Sequence, residues 1–287
     1  MKKLLAVLMT AVLCMSLLTA CGNAAKEEAS APEASDAETE AGGEEAPAVN
    51  AEEPDSAAET EALADGVLTV GTNAEFPPFE YVGDNGEPDG FDIALIKAIG
   101  EKLGVEVQVE NMEFDSLVAS IGRKTDVAIA GMTITKERQE SVDFSNPYYM
   151  AVQYVILPEG SEIASAKDLE GKAIGVQLGT TGDFIAEEIS GANVSQYNKA
   201  LDAVNDLING RLDCVIVDKN PALVFESRFE GQVKALDGDV FGFEPEEYAI
   251  ALPKGDTVLA DKINGALQEM MEDGTFDALV AEYIEEN

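Results

Sequence analysis

Histidine and tryptophan are both absent from this chain of 287 residues, and there are only three cysteines. Because histidine is the commonest general base and transition-metal ligand, its absence excludes serine–histidine catalytic triads and histidine-based zinc sites. Basic residues are also scarce, with 18 Lys and Arg against 56 Asp and Glu and a formal net charge of −38. Phosphate contacts need an excess of Lys and Arg, so no nucleic-acid partner is expected. We also expect no cofactor and no metal site.

The amino-terminal end combines a basic start, an apolar run and a cysteine. Met1-Lys2-Lys3 precedes residues 4–19, which carry no charge and are almost wholly apolar. This run is shorter than the roughly 20 residues that a membrane-spanning helix needs, so residues 1–20 are predicted to be a secretory signal peptide. The ending Leu-Thr-Ala-Cys resembles the lipobox of bacterial lipoproteins, which implies cleavage before Cys21 and a lipid on Cys21. An ordinary signal peptide that ends in cysteine by chance is the alternative.

Residues 22–65 differ sharply in composition from the rest of the chain. They contain 14 Asp or Glu, one Lys and no aromatic residue. A segment with so few apolar groups cannot offset the entropy lost on ordering, and its like charges repel one another. We therefore expect residues 21–65 to be a lipidated cysteine and a disordered acidic tether, with an acidic interaction tail as the alternative. The folded part, residues 66–287, has 42 acidic and 15 basic residues and a net charge of −27.

Helical and extended patterns alternate along the folded part. Apolar residues at helical spacing from Phe91 to Leu103, followed by Gly104, predict a helix, whereas residues 105–109 alternate as a strand. The alternation returns after residue 172, where Cys214 lies in a buried-strand pattern and is expected to be a core thiol. Such alternation is typical of an α/β fold with parallel strands. Two such units predict two lobes with a cleft at the carboxyl ends of the strands.

Polar groups follow several of these predicted strands. Arg138 lies in the first turn of a helix capped by Thr135, where the helix dipole disfavours a cation, so pairing with a carboxylate would explain its position. Thr180 and Thr181 open another helix, whose free amides can bind an anion. Asp218 ends the strand that contains Cys214.

Each of these residues alone has an ordinary explanation. Arg138 fits a surface charge, Asp218 a helix cap, and Phe76 and Phe114 core positions. Together they fit a zwitterion, because Arg138 and the helix amides suit a carboxylate and Asp218 suits an ammonium. The aromatic residues would then contact the side chain of the bound molecule.

The folded part resembles the polar amino-acid solute-binding proteins of ABC importers, the family-3 type that includes glutamine-, histidine- and arginine-binding proteins. The resemblance implies a two-lobed, type II periplasmic-binding-protein-like fold with two crossing strands as hinge. Lobe 1 would be residues 66–151 plus 248–287, and lobe 2 residues 152–247. The matching stretches, in the family's order, are GTNAEFPPFEY (71–81), GFDIALIKAIGEKLG (90–104), MEFDSLVASI (112–121), AGMTITKERQESVDFSNPYY (130–149), DLEGKAIGVQLGTT (168–181), NGRLDCVIVD (209–218) and EDGTF (272–276).

Matching positions imply a set of ligand contacts. In the family pattern, Arg138 binds the α-carboxylate and Asp218 the α-ammonium. The implied contacts are Phe76, Phe114, Gly131, Thr133, Arg138, Thr180, Thr181 and Asp218, with Asn73, Glu75, Gln177 and Leu178 as candidates for recognising the side chain.

The chain departs from the glutamine-binding pattern. Asn73 stands where histidine and glutamine types carry Asp, Gln177 where the glutamine type carries Lys, and Val217 where it carries His. Asn73 and Gln177 suggest a polar uncharged side chain, whereas Glu75 and the acidic surface suggest a basic one. Both alternatives stay open at this point.

The resemblance implies an extracytoplasmic substrate-binding lipoprotein, anchored to the outer face of the cell membrane through Cys21. It would capture a free polar or basic amino acid by lobe closure and deliver it to the permease subunits of an ABC importer. A cyclohexadienyl dehydratase-like enzyme on the same fold, with Glu75 as its base, is the alternative. The lipobox and the zwitterion clamp favour binding, so no catalytic residue is assigned.

The first prediction concerns the anchor. The change Cys21→Ala should abolish acylation, because no other residue of the predicted lipobox carries a thiol. Metabolic labelling with a fatty-acid probe measures this, and Cys14→Ala, inside the apolar run, is the matched control. Equal labelling of the unaltered protein and Cys21→Ala would contradict the lipoprotein interpretation.

Overall fold

The computed structural model describes residues 60–285, so the predicted signal peptide, Cys21 and the tether up to residue 59 lie outside the described residues. Ordered structure begins earlier than predicted. Thr60 caps a 3-10 turn over Glu61–Leu63, and its hydroxyl accepts a hydrogen bond from the Ala62 amide at 3.0 Å. Ala62 and Leu63 pack against the main core. The prediction that the disordered tether extends to residue 65 is therefore wrong for residues 60–65.

Strands and helices alternate through the described residues. In chain order, the strands are β1 (Val67–Thr72), β2 (Glu75–Phe76), β3 (Glu80–Val82), β4 (Pro88–Asp89), β5 (Glu106–Asn111), β6 (Val127–Ala128), β7 (Val142–Phe144), β8 (Tyr149–Ala151), β9 (Gln153–Pro158), β10 (Ala173–Gln177), β11 (Asn193–Tyr197), β12 (Cys214–Asp218), β13 (Val233–Asp237), β14 (Glu246–Tyr248) and β15 (Ala251–Pro253).

The α-helices connect these strands. They are α1 (Phe91–Leu103), α2 (Leu117–Ser120), α3 (Lys136–Ser141), α4 (Thr181–Glu188), α5 (Ala200–Ile208), α6 (Lys219–Arg228), α7 (Thr257–Asp273) and α8 (Thr275–Val280). Further 3-10 turns span Phe114–Ser116, Ala166–Leu169 and Gly238–Phe241, and a π turn spans Ala281–Glu285.

Helix α1 shows how local sequence produces the predicted element. It buries Ile96 and Ile99 in the same cluster as Leu68 and Val70 of β1. The helix ends at Gly104, whose φ of 72° is the left-handed conformation that favours glycine. The prediction of this helix is confirmed at both ends.

Two five-stranded sheets form the two lobes. The first has the order β5-β1-β6-β15-β7 and the second the order β11-β10-β12-β9-β13. Within them, β1 is parallel to β5 and β6, and β10 is parallel to β11 and β12. In contrast, β15 is antiparallel to β6 and β7, and β9 is antiparallel to β12 and β13. The expectation of parallel strands is therefore wrong for part of each sheet.

The antiparallel strands are those that enter a lobe from the other lobe. Strands β8 and β14 pair with each other and carry the chain across and back. The predicted lobe boundaries fall at the end of β8 and within β14. Strands β9 and β15 follow these crossings, so they start at the cleft edge, where the parallel strands end, and run the opposite way.

A buried carboxyl pair lies behind the cleft. Glu80 and Asp92 are both fully buried, and the Asp92 Oδ2 accepts hydrogen bonds from the Gly131 amide at 2.7 Å and the Tyr148 hydroxyl at 2.8 Å. Burial, followed by the charge of Asp92, raises the pKa of Glu80 well above its usual range. Glu80 is therefore the carboxyl group of the pair that holds its proton more tightly, and it donates a hydrogen bond to Asp92, whose own pKa burial raises to about 6.

The second prediction follows from this raised pKa. A folded Glu80 that holds its proton loses stability relative to the unfolded chain as pH rises above the ordinary glutamate pKa of about 4.3. Glu80→Gln removes that titration, so the stability of the variant relative to the unaltered protein should increase between pH 5 and pH 8. Urea denaturation at several pH values measures it, with exposed Glu87→Gln as the matched control. A difference that stays constant across this range would contradict a protonated Glu80.

Candidate ligand-binding site

A small cavity lies between the two lobes. Ten of the twelve predicted ligand-binding residues line it, together with Ala130. They are Asn73, Phe76, Phe114, Gly131, Thr133, Arg138, Gln177, Thr180, Thr181 and Asp218.

The lining residues meet here because parallel strands end at the same edge of each sheet. Asn73 directly follows β1, and Gly131 and Thr133 follow β6 in the first lobe. Gln177 and Asp218 are the last residues of β10 and β12 in the second lobe. A crevice at the carboxyl ends of strands is the usual ligand position in such sheets.

Arg138 brings a buried cation into this cavity. Its side chain is 8% exposed, and its guanidinium donates to the Thr133 carbonyl at 2.7 Å and the Gly179 carbonyl at 3.0 Å. The guanidinium carbon also lies 5.3 Å from the centre of the Phe114 ring, within cation–π range. Burial lowers the pKa of Arg138 to about 10, so the group stays charged at neutral pH. Five N–H groups are available on a guanidinium, and these contacts leave others for an anion.

Gly131 allows the chain to turn tightly beside the ring of Phe76. Its φ is +52°, in the left-handed region, and a Cβ at this position would lie 3.0 Å from the Phe76 ring. Its amide is held by Asp92 at 2.7 Å. The buried carboxyl pair of the first lobe thus fixes one wall of the cavity.

Asp218 is a buried carboxyl group on the second-lobe side of the cavity. It is 6% exposed, and its Oδ1 accepts a hydrogen bond from the Tyr248 hydroxyl at 2.6 Å. Burial, reinforced by the negative charge of Glu246, raises the pKa of Asp218 to about 7. A cation placed beside Asp218 would favour its ionised form.

Glu246 bridges the two lobes at the edge of the cavity. Its Oε2 accepts hydrogen bonds from the Thr133 hydroxyl at 2.6 Å and the Thr181 hydroxyl at 2.7 Å. Thr181 also accepts a hydrogen bond from the Gln153 amide at 3.1 Å. The two threonine hydroxyls therefore share one carboxylate oxygen.

Two side-chain amides meet at another part of the lining. The Gln177 Nε2 donates to the Asn73 Oδ1 at 2.9 Å and to the Asn198 carbonyl at 3.1 Å. The Asn73 Nδ2 donates to the Met112 carbonyl at 2.8 Å. Because each nitrogen bonds a backbone carbonyl, the orientation of both amides is defined.

Glu75 and Leu178 are not among the cavity-lining residues, so their predicted contacts with a ligand stay predictions. Glu75 precedes Phe76 in β2, and neighbouring strand residues point to opposite faces. Its carboxylate instead forms an ion pair with Lys199 of the second lobe. Leu178 is half-buried, and its amide donates to the Tyr197 carbonyl at 2.9 Å.

Several residues that bond the site groups were not among the predicted site residues. Gln153 forms a hydrogen bond with Thr181, and Tyr248 forms one with Asp218. Glu246 and Lys199 connect the two lobes. The only local signal for Gln153 and Tyr248 is their position beside the predicted crossings at 151/152 and 247/248. Nothing in the acidic run that contains Glu246 distinguishes it from its exposed neighbours.

Within residues 60–285, no helix is both long and apolar enough to cross a membrane. The same residues contain no group of three or more His, Cys, Asp or Glu side chains that could hold a metal ion. Cys214 is a buried free thiol, as predicted.

Residues 68–286 match the bacterial extracellular solute-binding proteins, family 3. The chain belongs to this family. Among curated relatives of this solute-binding protein is the arginine-binding extracellular protein ArtP of Bacillus subtilis. It is 38% identical over 224 residues, which cover 74% of this chain and 84% of ArtP.

Solved structures agree with the two-lobed fold. An ancestral arginine-binding protein bound to arginine is similar to this chain with a TM-score of 0.72 and 40% identity, over 76% of this chain and 98% of that one. An ancestral amino-acid-binding protein, a precursor of cyclohexadienyl dehydratase, is similar with a TM-score of 0.71 and 33% identity, over 78% and 97%. That second protein is itself named for amino-acid binding.

The third prediction uses the titration of Asp218. Below pH 7, protonation of Asp218 would compete with a bound ammonium, so the affinity for an amino acid should fall by up to about tenfold per pH unit. Calorimetric titration from pH 5 to pH 8, in buffers of different ionisation enthalpy, measures both the affinity and the protons released. Asp218→Asn should bind weakly at every pH, and exposed Asp202→Asn is the matched control. Unchanged affinity of the unaltered protein between pH 5 and pH 8 would refute this role.

Proposed function

We propose that this solute-binding protein captures a free polar or basic amino acid between its lobes and delivers it to the permease of an ABC importer. The observation that carries the proposal is that a buried guanidinium, Arg138, and a buried carboxyl group, Asp218, line the same small cavity. The two groups come from different lobes. Free amino acids carry the complementary pair of charges on one carbon.

The donor side of the cavity suits the α-carboxylate. Arg138 has guanidinium N–H groups beyond the two that bond carbonyls. Helix α4 begins at Thr181, so the first-turn amides beside Arg138 have no partner within the helix. A carboxylate at this point would bond both lobes at once, which favours a closed arrangement when an amino acid is bound.

The side chain of the amino acid would lie between Phe76, Phe114 and the Asn73–Gln177 amide pair. Flat aromatic faces accommodate an aliphatic stem and attract a cation. The names of ArtP and of the ancestral protein, both arginine-binding, support a ligand of this type.

The family and the predicted signal peptide both support the proposed location. Family members are extracellular proteins, which supports an extracytoplasmic position. The predicted lipobox adds attachment to the outer face of the cell membrane by a lipid on Cys21. The cargo would then be released to permease subunits in the same membrane.

Turnover is not part of the proposal. Glu75 is the base that the dehydratase-like alternative would use, but it is paired with Lys199 and does not line the cavity. The other carboxylates at the cleft, Asp218 and Glu246, are hydrogen-bonded to Tyr248 and to two threonines.

The fourth prediction tests the clamp. A thermal-shift screen against the twenty amino acids, cystine, ornithine and citrulline identifies the cargo. Arg138→Ala should then weaken its binding by about 2–5 kcal/mol, because a buried carboxylate loses its charged partner. Arg138→Lys should also bind poorly, since an ammonium cannot reproduce the planar fork.

Calorimetric titration measures these affinities, and exposed Arg123→Ala is the matched control. Circular dichroism verifies that each variant is folded. A folded Arg138→Ala protein that binds within about threefold of the unaltered protein, less than 1 kcal/mol, would remove Arg138 from the site.

A further inference from the structure

Glu246 does not line the cavity, yet it bonds two residues that do. Its carboxylate lies in an outer groove that shares Thr133 and Thr181 with the cavity, so the three side chains form the wall between them. Thr133 belongs to the first lobe and Thr181 to the second. Glu246 itself lies on β14, one of the two crossing strands. The contact therefore joins both lobes and the hinge at one point.

The hydrogen-bond inventory of a hydroxyl gives this contact a chemical consequence. A threonine hydroxyl has one proton and two lone pairs. Thr133 and Thr181 each commit that proton to the Glu246 Oε2, at 2.6 and 2.7 Å. Thr133 then has only lone pairs left, and Thr181 uses one of its own for Gln153. Neither hydroxyl is available as a donor to a carboxylate.

We propose that Glu246 is a positioning residue for this site, which links the lobes through Thr133 and Thr181 and turns both hydroxyl oxygens into acceptors. This inference rests on the proposed amino-acid ligand. The α-carboxylate is then bound by Arg138 and the first-turn amides of α4. The Thr133 oxygen joins Asp218 in accepting from the α-ammonium. A residue that does not touch the amino acid thus determines which end of the site donates hydrogen bonds and which end accepts them.

Charge adds a second effect that hydrogen bonding alone would not produce. The Glu246 carboxylate raises the pKa of Asp218, second only to burial, and stabilises the protonated form of Arg138. Glu246→Gln keeps an oxygen that can accept from both threonines but removes the charge. Glu246→Ala removes the oxygen as well. Comparison of the two variants therefore separates the effect of the hydrogen bonds between the lobes from the effect of the Glu246 charge.

The fifth prediction tests the link without any amino acid. Spin labels at exposed Glu101 of the first lobe and Glu230 of the second report the distance between the lobes in the full chain. Glu246→Ala should lengthen this distance and broaden its distribution, whereas Glu246→Gln should not. Glu247→Ala is the matched control, because Glu247 is the exposed neighbour on the same strand. An unchanged distribution in Glu246→Ala would overturn the link.

The same variants are then titrated calorimetrically with L-arginine and L-glutamine as probes. Glu246→Ala should bind at least tenfold more weakly than the unaltered protein, and Glu247→Ala within about twofold. In Glu246→Gln, the pH midpoint of binding should move to lower pH, because Asp218 loses the charge that raises its pKa. A purely structural role of Glu246 would not move this midpoint.

The outcomes separate the two proposals. If the unaltered protein binds neither probe nor any other compound of the thermal-shift screen, the proposed class of ligand fails, and the label distances still decide whether Glu246 links the lobes. If it binds a probe and Glu246→Ala binds equally well, the positioning role alone is overturned. A folded Glu246→Gln protein with an unshifted pH midpoint would overturn the electrostatic part.

Discussion

The burial of one guanidinium constrains the whole cleft. Arg138 is removed from water, and an uncompensated buried charge is costly. Its partners include the Thr133 carbonyl from its own lobe and the Gly179 carbonyl from the other. The shell around the charge is therefore assembled only when the lobes are in contact. The guanidinium makes both of these hydrogen bonds only when the two lobes are in contact, and the cavity lies beside it at that contact.

This protein has many more carboxyl groups than basic residues, and the buried carboxyl groups are stabilised by their immediate surroundings rather than by surface cations. Burial raises the pKa of Glu80, which donates a hydrogen bond to Asp92. Burial also raises the pKa of Asp218 to about 7, because it disfavours the charged form. Exposed carboxylates are screened by salt within roughly 8 Å under physiological conditions. The net charge of the folded part therefore says little about the cavity, whose electrostatics follow from Arg138, Asp218 and Glu246.

The sequence allowed prediction of those site residues whose position follows from the end of a strand or the start of a helix. Asp218 ends β12, and Thr180 caps α4 with its hydroxyl, which accepts from the Asp183 amide. Local patterns determine both positions. Glu75 differs because adjacent strand residues face opposite ways, and the motif alone does not say which of Glu75 and Phe76 faces the cleft.

Contacts between the lobes could not be predicted in the same way. Glu246 meets Thr133 across 113 positions of sequence, and Lys199 meets Glu75 across 124. No periodicity or cap connects such residues, because only the hinge geometry brings them together. The antiparallel direction of β9 and β15 has the same origin, since it depends on which edge of the sheet the returning chain meets.

The amide pair narrows the question of side-chain recognition that the sequence left open. Gln177 uses its nitrogen on Asn73 and on the Asn198 carbonyl, so its oxygen is the group left for a ligand. The Asn73 oxygen already accepts from Gln177 and retains one lone pair. This part of the lining is thus richer in acceptors than in donors. It suits an amide, an ammonium or a guanidinium better than a carboxylate, so polar and basic side chains satisfy the same oxygens. The neutral Asn73 therefore does not exclude a cation, because carbonyl oxygens and the faces of Phe76 and Phe114 solvate positive charge without a carboxylate.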